Sequence, residues 1–90
     1  MPIISAFYGV VIRMFYKEHE PAHFHAEHGG DNAKVDFAGN ITAGEIRSRK
    51  ARERIRRWAE LHRAQLDANW AKMKAGQPLE SIEPLSEGKP

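Results

Sequence analysis

At 90 residues with no cysteine, the chain has room for one core and must hold it by packing, without disulfides, thiolate nucleophiles or cysteine-ligated zinc. Its 41% apolar content argues for a folded body, and no apolar run or basic-then-apolar start marks a membrane span or leader, so a cytoplasmic protein is expected. The net charge of +2 hides a basic block, Arg47, Arg49, Lys50, Arg52, Arg54, Arg56, Arg57 and Arg63 against Glu53 and Glu60, with an acidic excess on either side. Such a block suits RNA, DNA or an acidic protein, or else is a solvated helix face.

Pro2 to Ala6 reads as a lead-in. Phe7 to Tyr16 is β-branched, aromatic or apolar apart from Arg13, which predicts a strand, with Gly9 a bulge or a turn between two shorter pieces. Lys17 to Pro21 is polar and ends in proline, a turn. His23 to Glu27 predicts a second strand, and Gly29-Gly30-Asp31-Asn32 a hairpin connection. Ala33 to Phe37 alternates as a third strand, and Ile41-Thr42 is a short fourth.

After Gly44 the period becomes helical. Ala51, Ile55, Trp58, Ala59, His62, Leu66, Trp70 and Met73 form one stripe of a helix running from about Ser48 to Ala75, stopped by Gly76 and Pro78. A break near Arg49–Lys50 is the alternative. Leu79 to Leu85 predicts an extended piece that docks on the body. The expectation is an α+β fold: a small three- to four-stranded antiparallel sheet packed against one long C-terminal helix, a single domain over residues 1–85 with a disordered tail at 86–90.

Four of the five histidines fall between His19 and His28. His23 and His25 alternate across Phe24, so both leave the same face of a strand, together with Glu27. If Phe24 and Ala26 enter the core, the histidines lie on the open face. In the reverse assignment they lie under the helix, where His62 approaches them. Two chemistries fit. One is metal-free RNA cleavage with His23, His25 and His62 as acid and base and Arg13 near the phosphate. The other is a metal site from His19, His23 and His25, with Glu27 or His28 in addition, suited to a divalent transition metal such as zinc or nickel, or to copper. Arg49, Arg52, Arg56 and Arg57 are the candidate nucleic-acid contacts. A structural or merely exposed cluster is the plain alternative, and Trp58 and Trp70 read as core anchors rather than base-stacking platforms.

The run Val11-Ile12-Arg13-Met14-Phe15-Tyr16, then Glu18-His19-Glu20-Pro21-Ala22-His23-Phe24-His25, then Ala33-Lys34-Val35-Asp36 resembles the domain of unknown function 4160 family of small bacterial proteins. Gly44-Glu45-Ile46, then Trp58, His62, Leu66 and Trp70, and finally Ile82 and Leu85 extend the likeness to most of the chain. Ala22 stands where the family usually has a second proline, and no proline follows Ile46, which implies a looser backbone there. The resemblance implies a toxin-like component encoded beside an antitoxin-like partner, a class that often acts on RNA. Arg13, His19, His23, His25, Trp58, His62 and Trp70 are the matching positions. A ribonuclease, a non-catalytic metal-binding domain and a protein-interaction module are the functions expected. The expected partners are the antitoxin-like protein, RNA and further copies of the chain, with no membrane.

Overall fold

The computed structural model describes residues 2–87. Five strands, β1 (Ile3–Phe7), β2 (Val10–Arg13), β3 (His23–His28), β4 (Asp31–Asp36) and β5 (Ile41–Gly44), precede two helices, α1 (Arg49–Leu61) and α2 (Arg63–Lys74). Each strand pairs antiparallel with its chain neighbours, giving one sheet in the order β1-β2-β3-β4-β5. The α+β layout is as expected, with five strands rather than three or four and two helices rather than one.

The extra strand comes from the start of the chain. The stretch read as a lead-in is largely β1, joined to β2 by a tight turn at Tyr8 and Gly9, with φ of 49° and 78°. Positive φ at both central residues is what a two-residue hairpin matching the strand twist needs. Gly9 is therefore the turn between two short pieces, and β2 ends at Arg13, short of Tyr16.

Alternation assigns the two faces. Ile12 lies opposite Ala26, Ala26 opposite Ala33, and Phe24 opposite Val35, and all are buried. On the other face Arg13 is opposite His25, His25 opposite Lys34, and His23 opposite Asp36. The assignment with Phe24 and Ala26 in the core holds, and the reverse one does not.

The helices cover the Phe24 face. Trp58 is fully buried, with its ring 5.7 Å from Phe7 and 5.4 Å from Phe24; burying large apolar side chains of this kind contributes roughly 1.5–3 kcal/mol each. The helical stripe is interrupted at His62, which has φ −117° and ends α1 while preceding α2. The break is thus not at Arg49–Lys50, where Ser48 caps α1 by accepting from the Ala51 N–H at 3.1 Å. No proline or glycine marks His62. The bend accompanies tertiary packing: Leu66, Trp70 and Met73 stay buried beyond it, and Trp70 meets Phe37 edge-on at 6.0 Å.

The last segment docks on the body. The Ile82 N–H donates to the Ile4 carbonyl at 2.7 Å, Trp58 Nε1 donates to the Glu83 carbonyl at 2.9 Å, and Ile82 and Leu85 are buried. Glu87, expected in the tail, accepts from Arg54 and Arg57, while positions 88–90 of that tail lie outside the described residues. Among the described residues no helix is long and apolar enough to cross a membrane.

Candidate functional site

β3 carries His23 and His25 on the face opposite Phe24 and Ala26, yet His23 is buried. The reason is the segment from Met14 to Ala22. It leaves β2, turns through Lys17 at φ 64° and returns across the end of β3 through Glu20 and Pro21. This return brings the Glu18 carboxylate onto both imidazoles. Glu18 Oε1 is in hydrogen-bond contact with His23 Nε2 and lies 3.4 Å from His25 Nε2. The two rings are 5.2 Å apart, centre to centre, in an edge-on arrangement. Phe15 packs edge-on against His25 at 4.7 Å, and Trp70 backs His23 at 5.5 Å.

Hydrogen bonding fixes the orientation of His23. Its Nδ1 lies 2.9 Å from the Pro21 carbonyl oxygen. A carbonyl only accepts, so Nδ1 carries a proton and donates it. Nε2 then faces a carboxylate oxygen at hydrogen-bond contact, so a proton is shared between ring and carboxyl; a metal ion taken up by the cluster takes the place of that proton. Burial pushes the Glu18 carboxyl up, but hydrogen bonds from His23 and His25, with their charge, outweigh this and hold it below the ordinary carboxylate value. The ionised form is the one that binds a cation.

One ligand atom from each of Glu18, His23 and His25 lies within 4.8 Å of the others, which fits a single ion. A cavity of about 280 Å³ lined by Glu18, His19, His23, Lys34, Asp36 and Thr42, among others, gives access. Glu20 stands at its edge, anchored by Lys74 Nζ at 2.6 Å and Trp70 Nε1 at 3.0 Å. Those contacts, Lys74 first, hold its carboxyl below the ordinary value too. The anchors tie the turn to α2 and so keep Glu18 in place.

The remaining candidates separate. His19 is exposed and lines the cavity, but it is not among the converging ligand atoms; Glu18 takes the place given to it. Arg13 lies across from His25, yet its Nε is bound to Glu27 Oε2 at 2.9 Å, which commits both Arg13 and Glu27, the one carboxylate expected as a ligand. His28 is on the opposite face, opposite Val10. His62 stands at the α1–α2 junction, 5.8 Å from the Trp58 ring, with a buried Nδ1 lacking a partner. No contact joins it to His23 or His25 among the described residues. Arg49, Arg52 and Arg56 line one groove, whereas Arg57 is turned to Glu87. Sequence reasoning named Glu18 within the histidine-rich stretch but gave it no role. The available signal was a carboxylate five residues before His23, separated from it by the proline of a turn.

No curated protein and no solved structure matches the chain. A family model described as a domain of unknown function (DUF4160) matches residues 9–71, a stretch that includes Glu18, His23, His25, Trp58, His62 and Trp70. The chain belongs to the DUF4160 family.

Proposed function

We propose that this protein is a metal-binding domain whose Glu18, His23 and His25 hold one divalent transition ion. The observation that carries the reading is the convergence of two imidazole nitrogens and one carboxylate oxygen on a common point. The bond from His23 Nδ1 to the Pro21 carbonyl supports it, because metal-bound histidines usually donate their second ring N–H to an acceptor that fixes the ring. Two nitrogens and one oxygen suit zinc or nickel. With three protein ligands a zinc ion keeps a fourth position for water, which it makes nucleophilic near neutral pH.

The wider setting is a toxin-like component of a bacterial toxin–antitoxin module that acts on RNA, as the family resemblance implies. In that setting Glu18, His23 and His25 would hold the ion, which would supply water activation for hydrolysis, a role that suits these residues better than paired imidazole acid and base. Both rings are turned toward one anionic oxygen, and an anionic phosphate placed between them meets that charge.

Calorimetric titration of the purified chain with Zn²⁺ and Ni²⁺ tests the centre. One ion per chain is expected, with binding abolished in His25→Ala, a position partly exposed and so tolerant of substitution. Equal binding by the wild type and His25→Ala removes the proposal. Induced expression then tests the wider setting: growth inhibition that survives both His25→Ala and Glu18→Gln separates toxicity from this centre.

A further inference from the structure

We infer that the groove between the β4–β5 turn and the first half of α1 binds a phosphate group of a nucleotide or RNA strand through Arg52 and Arg56. The groove has a volume of about 440 Å³ and shares no residue with the cavity at Glu18 and His23. The inference therefore stands independently of the metal centre.

Charge pairing singles out these two arginines. Arg13 is paired with Glu27, Arg47 with Asp31, Arg49 with Glu53, Arg54 and Arg57 with Glu87, and Arg63 with Asp67. Among the described residues Arg52 and Arg56 have no carboxylate partner. Neutral oxygens hold them instead. Arg52 Nη1 donates to the carbonyls of Ile46 at 2.7 Å and Arg47 at 3.0 Å, and Arg56 Nη2 donates to Asn40 Oδ1 at 2.9 Å. Each guanidinium is positioned through part of its fork while keeping its full charge and its remaining N–H donors.

The two lie four residues apart on one helix, where like charges repel. The first turn of α1 holds no acidic residue and instead places Arg49, Lys50 and Arg52 at the positive end of the helix dipole. Both features oppose folding in isolation, and an anion in the groove relieves both. The backbone is shaped to match. Gly39, at φ 93°, brings the turn so close to α1 that a Cβ there would meet Arg56 Cγ at 2.9 Å and Arg56 Cα at 3.0 Å. That approach lets Asn40 reach Arg56. Ile41 and Ile55 add apolar wall to the same groove, room for the organic part of a phosphate ester, and the one carboxylate in its lining, Glu53, is paired with Arg49. Two forked cations beside an apolar wall suit a phosphate ester.

The test follows backbone and arginine side-chain NMR signals while titrating three probes: inorganic phosphate, a nucleoside 5′-monophosphate and a ten-nucleotide single-stranded RNA. Shifts at Asn40, Arg52 and Arg56 are expected. The RNA being the tightest probe assigns a strand, and the monophosphate being tightest assigns a nucleotide. Substituting Arg52→Gln and Arg56→Gln together flattens the dependence of log affinity on log salt by roughly one unit per arginine. Arg57→Gln leaves affinity unchanged, and so does EDTA in the buffer, which keeps this result separate from the metal centre. All these substitutions are of exposed side chains. The inference is overturned if no probe moves those signals, or if Arg57→Gln weakens binding as much as Arg56→Gln. It is also overturned if a Glu-rich peptide shifts them and phosphate esters do not.

Discussion

Glu18 shows how one side chain sets the character of the site. Without it, His23 and His25 are two imidazoles packed beside Trp70 and Phe15; with it, they become a cation-binding set. Glu18→Gln keeps the size of the side chain and one oxygen but removes the charge that an ion needs. Zn²⁺ affinity should fall by at least the roughly 10–100-fold seen when a metal ligand loses its support, with far-UV circular dichroism unchanged because Glu18 sits at the surface end of the cluster. Unaltered affinity would mean that the carboxylate is only a neighbour of the histidines. His23 and His25 were legible in the sequence because a strand's two-residue period puts them on one face. Glu18 was not, since its place depends on how the Met14–Ala22 segment folds back, a tertiary outcome with no fixed spacing rule. His62 misled for the opposite reason: its helical periodicity was clear, but periodicity does not say which neighbours a residue meets.

At the level of elements, the strands and turns were read well where turn chemistry was local, as at Gly29-Gly30 and Gly39-Asn40. β1 was overlooked because its outward residues Ile3 and Ala6 are apolar, which masks the alternation that identifies a half-buried strand. The helix was legible as a stripe but not as two helices, since nothing in the local sequence marks the bend at His62. The C-terminal segment is the element most dependent on one residue. Buried Asn69 donates from Nδ2 to the Glu80 carbonyl at 2.8 Å and accepts from the Glu80 N–H at 3.0 Å through Oδ1. It thereby substitutes for a strand neighbour. Asn69→Ala removes both bonds and leaves the main-chain groups of exposed Glu80 to water, which costs about 0.5–1.5 kcal/mol for each hydrogen bond lost. Hydrogen exchange should show it locally, with the Ile82 amide losing protection against Ile4 before the β3–β4 amides do. Simultaneous loss across the whole sheet would show instead that the segment and the body open as one unit.

Across the whole molecule, the sheet and the helical layer are joined by few polar links, and Asp31 with Arg47 is the most complete of them. Asp31 opens β4, and Arg47 lies just before α1. The Arg47 N–H donates to Asp31 Oδ2 at 2.9 Å, and its guanidinium contacts both carboxylate oxygens between 2.9 and 3.1 Å. Side-chain hydrogen bonds from Arg47 come first, then its backbone N–H, in holding the Asp31 carboxyl below its ordinary value of 3.8; the charges of Arg47 and His28 add to this, and partial burial opposes it. A carboxyl lowered by folding binds fewer protons in the native state than in the unfolded one. Its contribution is therefore complete above the ordinary aspartate value and is lost as the pH falls through the lowered one. Melting curves of the wild type and Asp31→Asn should differ most near neutral pH and converge in acid below that ordinary value. Added salt should narrow the neutral-pH gap, because the Arg47 side chain is 72% exposed and exposed pairs are screened. A gap that stays constant into strong acid would show that the link acts through shape and hydrogen bonding, with the charge of Asp31 contributing nothing.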